Sequence, residues 1–198
     1  MAATAATKAV PATSTPGRTV MFGLLRLSIG FVFLWAFLDK CFGLGYATPS
    51  DKKWMFGTGT GNPTAGYLKF GVNPKGPFAS FFHSLGDTAL KGGPTSWINW
   101  LFMLGLLGIG LGLMLGIFAR ITAVCGVIML AMMYLASAPW AQYQDASGAN
   151  QSQNPIVDEH LVYMFAILAM VYVGAQCALG LGKWWSSLGF VGKVKIFQ

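Results

Sequence analysis

Asp158, Glu159 and His160 stand side by side at the start of the last long apolar stretch, in the run Asn154-Pro-Ile-Val-Asp-Glu-His-Leu-Val-Tyr163. Two carboxylates beside an imidazole can accept, hold and release protons near neutral pH. Residues 161–181 carry no charge, about the length an α-helix needs to cross a hydrocarbon core. Ionisable groups at such an edge are costly unless they meet water, one another or a ligand. Glu159 and Tyr163 are four residues apart and share a helical face, with His160 on the neighbouring one. Arg26, about two turns inside the first apolar run, and Lys40, at its far end, are the cations that could balance these acids. The plainer reading is structural: acids in a helix's first turn answer its dipole, and Arg26 makes an ion pair. Asn154 and Pro155 read as the N-cap and first position of that helix.

The surroundings are those of an integral membrane protein. Of 198 residues 55% are hydrophobic and 10% charged, with a mean hydropathy of +0.57, whereas soluble domains carry about 25% charged residues. The net charge of +7 is dispersed, which suits topology and attraction to anionic lipid and gives no nucleic-acid stripe. Three cysteines without a Cys-x-x-Cys exclude a disulfide scaffold and c-type haem attachment. Cys125 and Cys177 read as buried apolar residues and Cys41 as the one nearest an interface. With only His83 and His160 and no dinucleotide fingerprint, no haem, flavin or metal is expected. Gly57-Thr-Gly-Thr-Gly61 lacks a preceding strand and a Walker lysine, so it reads as a turn.

Four apolar spans position the candidate residues, at about 20–38, 97–118, 121–138 and 156–181. The expected fold is an all-α four-helix membrane bundle over 20–185, with a flexible tail at 1–19 and an interfacial tail at 186–198. Trp35 and Phe37 fit an interfacial aromatic belt. The connection at 45–96 is too long to be structureless. It is expected to fold on the membrane surface, with short helices near 63–70 and 77–85. Gly108, Gly112 and Gly116 share a helix face and suit close helix packing. Gly116-Ile-Phe-Ala-Arg120 reads as a tight turn between spans two and three. Lys8, Arg18, Arg120, Lys183, Lys193 and Lys195 fall on the side of the termini, which the positive-inside rule places in the cytoplasm. The long connection dissents, with five lysines against two aspartates.

These residues resemble a known family. Arg26-Leu-Ser-Ile-Gly30-Phe-Val-Phe-Leu-Trp35-Ala-Phe-Leu-Asp-Lys40 is similar to the first helix of DoxX/DoxD-like membrane proteins. Asn62-Pro-Thr-Ala-Gly-Tyr-Leu68 and Gly76-Pro-Phe-Ala-Ser-Phe-Phe82 resemble its loop, and Gly116-x-x-x-Arg120 its second turn. Asn154-Pro-Ile-Val-Asp-Glu-His160 and Gly180-Leu-Gly-Lys-Trp-Trp185 resemble the two ends of its last helix. Phe37 and Asp39 depart from the pattern, which has small residues there. The resemblance implies a four-helix fold with cytoplasmic termini. It also implies a quinone-linked oxidoreductase subunit that passes electrons from thiosulfate to membrane quinone beside a partner subunit. Under that reading Asp158, Glu159, His160 and Arg26 carry catalysis, and Tyr163, Trp35 and Lys40 contact the quinone. The trio is then expected to point into a crevice roofed by the long connection, where it meets the basic side chains of the first span. The alternative is a non-catalytic accessory or scaffold subunit of a larger respiratory complex. A transporter fits least, because the charges cluster near the span ends.

Overall fold

A computed structural model describes residues 16–54, 61–143, 154–189 and 191. Most of the expected N-terminal tail, the glycine-rich turn up to residue 60, the polar loop around Asp145, and Lys193 and Lys195 lie outside the described residues. The first apolar run forms α1, Pro16–Phe42. It begins four residues before the expected span because proline suits a first helical turn, where its missing N–H is not needed. It continues past Leu38 through Asp39 and Lys40 to Gly43, whose φ of 64° ends it. Asp39 is buried, and its carboxylate accepts from the Tyr46 and Ala47 amides at 3.2 and 3.0 Å. It thereby fixes the turn that leaves the helix.

The long connection is folded, as its length demanded. Asn62 caps α2, Pro63–Gly66, by accepting from the Ala65 amide at 3.1 Å. A π-helical turn, Tyr67–Gly71, follows, and then α3, Ala79–Gly92. A small apolar cluster including Leu68, Val72, Phe82 and Ile98 sits beneath them. Asparagines attach this cap to the helices below. Asn62 Nδ2 donates to the Ala89 and Gly93 carbonyls, and Asn99 Nδ2 donates to Asn62 Oδ1 at 2.7 Å. Asn73 Nδ2 donates to the Ala138 and Ala141 carbonyls at 3.2 and 2.6 Å.

Asn99 belongs to α4, Trp97–Leu115, which is followed by α5, Ala119–Ser137. Gly116 and Phe118, at φ of 75° and 50°, make the tight turn between them. α1, α4 and α5 are each long and apolar enough to cross a membrane. α1 and α4 run antiparallel at close range. A Cβ on Gly30 would lie 2.9 Å from the Met114 nitrogen, and one on Gly110 would lie 2.7 Å from the Leu34 nitrogen. Without a hydrophobic driving force in lipid, such backbone approach is what holds helices together. The expected glycine face of α4 is only partly packing surface. Gly112 admits Thr122 and Gly116 caps the helix, while Gly108 faces open space.

The last apolar stretch does not form the single helix expected over 156–181. Asn154 accepts from the Ile156 and Val157 amides at 2.9 and 3.0 Å, closing a local turn in place of a helix cap. Asp158 is the cap instead, and α6 runs Glu159–Tyr172. It stops at Gly174, with φ of 71°, and passes through one 3-10 turn, Ala175–Cys177, before α7, Gly182–Ser187. α6 packs on α5, and Met103, Ile109, Ile167 and Met170 meet in the shared core. The cysteines invert expectation: Cys41 is buried, Cys125 is exposed on α5 and Cys177 is intermediate.

Candidate functional site

The structure separates the residues that the sequence grouped. Arg26 lies at the end of the molecule away from the cap. Its guanidinium donates to the Leu113 and Met114 carbonyls at the end of α4, and to those of Ala178 and Leu179 at 2.7 and 3.1 Å. A cation on free helix-end carbonyls is favourable. It also satisfies carbonyls that the chain after α6 leaves free: irregular backbone survives in such surroundings when protein groups satisfy it. Gly180 has no side chain to block the contact, since a Cβ there would sit 2.8 Å from Nη2. Arg26 therefore joins three elements and does not meet the acids of residues 158–159.

Among the described residues the ion pairs are Lys69–Asp87 and His160–Asp158, so Lys40 does not pair with the trio either. Trp35 packs against Phe31 and, edge-on at 5.2 Å between ring centroids, against Tyr46. Tyr163 is half-buried against the core shared by α1, α4, α5 and α6. The expected meeting of the trio with the basic groups of α1 does not occur.

Part of the trio does come together. Asp158 Oδ1 accepts from the Leu161 amide at 3.0 Å, and Oδ2 accepts from Ser137 Oγ at 2.9 Å and from His160 Nδ1 at 2.8 Å. Burial works to raise the Asp158 carboxyl. The bonds from His160, Leu161 and Ser137 outweigh it and hold the group below the usual carboxylate range. With Nδ1 engaged, His160 Nε2 is the ring nitrogen that Asp158 does not hold. Glu159 is exposed.

The cap brings a further group to this corner. Tyr67, in the π-helical turn, has its phenol pushed up to about 12 by burial, and then by the charges of Asp158 and Glu159. It stays protonated and so keeps a proton to donate. Tyr67 and Thr64 line a cavity of about 360 Å³ whose walls are otherwise the apolar faces of α4, α5 and α3. Its size falls within the range of small-molecule sites, about 300–1,000 Å³. Leu101, Ile128 and Met132, exposed on the outer faces of α4 and α5, form its mouth. Thr64 is 4% exposed, and its hydroxyl has no partner among the described residues. Buried hydroxyls are normally satisfied, so an orphan lining a cavity is a group that a ligand or an ordered water can meet. Among the described residues no charged side chain lines the chamber.

Thr64 and Tyr67 were not singled out from sequence, although they lie in the quoted run 62–68. The available signal was Asn62-Pro63, a cap and first helical position, which starts the short α2 that carries Thr64 and leads into the π-helical turn that carries Tyr67. Comparison with family models, with curated proteins and with solved structures finds no match to this chain.

Proposed function

We propose that the chain is the membrane subunit of a quinone-linked oxidoreductase, as its resemblance to DoxX/DoxD-like proteins implies, and that the cavity beneath the cap is its quinone site. The observation that carries this reading is the orphan Thr64 hydroxyl beside the protonated Tyr67, over an otherwise apolar chamber. A quinone ring is planar, uncharged and rimmed by carbonyl acceptors; when bound it supplies an acceptor for electrons and protons. Thr64 and Tyr67 are the donors to a carbonyl. The Asp158–His160 pair at the same corner holds a proton on the aqueous side of the chamber. Electrons reach the site from a partner subunit, with thiosulfate as the donor that the resemblance suggests. In the same reading α6 makes the fourth crossing. Its 14 residues rise only ~21 Å against a core of ~30 Å, and the non-helical stretch held by Arg26 completes the path. The termini lie in the cytoplasm of a cell whose inner membrane holds the bundle.

Thr64→Val tests the site. It keeps the shape and removes an unpaired polar atom, so thermal stability holds or rises by about 1 kcal/mol. Binding of a short-tailed ubiquinone, read by tryptophan quenching in lipid nanodiscs, weakens by about fivefold, the worth of one hydrogen bond. Tyr67→Phe does the same and lowers thiosulfate-dependent quinone reduction in membranes containing the partner. Wild-type protein that takes up no quinone removes the proposal.

A further inference from the structure

The chamber does not end at the middle of the helices. A second hollow of about 320 Å³ continues along the contact of α4 and α5, and the two share Gly105, Ile109 and Cys125 as lining residues. They form one groove from the cap to the turn after Leu115. It stays open for a local reason. The helices touch where Gly112 admits Thr122 and where Met129 overlies Gly105; between these points Gly108 presents open space, with nothing within 4 Å of the position of a Cβ. Leu104 and Leu111, exposed at 54% and 40%, leave the groove open to lipid along its length. Between residues 104 and 112 it follows α4 for ~12 Å.

Resting on the quinone reading, we propose that this groove holds the first part of the polyprenyl tail of the quinone whose ring lies beneath Thr64 and Tyr67. The shape specifies the ligand. The unpartnered Thr64 hydroxyl stands at one end, and the space leading away from it is lined by apolar residues apart from Thr122, whose hydroxyl donates to the Ile117 carbonyl, so the match is a small polar head with a single long apolar extension. The head is uncharged, because among the described residues no lysine or arginine lines the chamber. That sets aside fatty acids and phospholipids, whose anionic heads need a cation. Lipid is as apolar as the groove, so the tail gains from close packing and from tethering the ring, and not from leaving water. Its contribution is correspondingly modest.

The experiment compares two ubiquinones, one with a single isoprene unit and one with a long polyprenyl tail, against wild type, Gly108→Phe and Leu111→Trp in nanodiscs. Gly108→Phe fills empty space and Leu111→Trp crowds an exposed rim, so neither disturbs the core. The expected result is about tenfold weaker binding of the long-tailed quinone to both variants, with the single-isoprene quinone unaffected. A long-tailed probe carrying a photoreactive group midway labels α4 and α5 beside the groove. If both quinones bind all three proteins alike, or if labelling falls on other faces, the tail groove is overturned and the head chamber stands. If neither quinone binds wild type, both fall together. Native mass spectrometry that finds a phospholipid held in the groove, and not displaced by the long-tailed quinone, also overturns it.

Discussion

Asp158 does two jobs with one carboxylate. It caps α6 through the Leu161 amide and holds His160 Nδ1 through the other oxygen. Its folded-state pKa is depressed. The stability it contributes is therefore fully present above the unfolded value of about 3.9 and is lost as pH falls through the lower folded value. Thermal melts in detergent between neutral pH and pH ~3 should show that loss, and Asp158→Asn should flatten it. Asp158→Ala should cost about 1–2 kcal/mol at neutral pH, as a lost cap does. An unchanged melt would show that the cap contributes nothing. The ionisable trio was legible from its position before an uncharged run. Which oxygen meets which donor was not, because Ser137 reaches Asp158 from a helix ending 21 residues earlier. Asn154 shows the local competition. Its side chain had two uses, a helix cap or a turn of its own, and Pro155 did not decide between them.

At the level of elements, the three long spans were visible in hydropathy alone, because length and lack of charge are properties of the run itself. The break after Tyr172 was not. Residues 173–181 carry no charge, like those before them; the helix breaks at Gly174, and a guanidinium supplied by α1 holds carbonyls of the stretch that follows. Arg26 in turn was read as the partner of an acid, since sequence shows a charge but not the carbonyls that its helix will meet. Arg26→Ala should therefore act on structure. It leaves several buried carbonyls bare, which costs about 2–4 kcal/mol, read as lower resistance to unfolding in a denaturing detergent. Arg26→Lys should recover only part, because one ammonium lacks the planar fork that reaches both segments. Equal stability of all three proteins would dismiss the clamp.

At the scale of the whole molecule, the cap, the start of α4, the end of α5 and the start of α6 share one end, and the beginning of α1, the α4–α5 turn and α7 share the other. A single cysteine at exposed Ser50 and one at exposed Lys183, each in a chain otherwise free of cysteine, should react with an impermeant maleimide from opposite sides of sealed vesicles. Reaction from the same side would remove the fourth crossing. Lys183 is expected on the cytoplasmic face. The arrangement also bears on how the chain is made. Arg26 takes its carbonyl partners from positions 87 and 152 residues downstream, so while the first segment leaves the ribosome its guanidinium has nothing to bind but water and headgroups. That segment is expected to sit shallow in the bilayer at first, to gain its first carbonyl partners with the end of α4 and to reach its final depth when the last segment supplies the rest. Synthesis truncated before residue 178 should therefore leave the opening helix loosely inserted, however apolar it is.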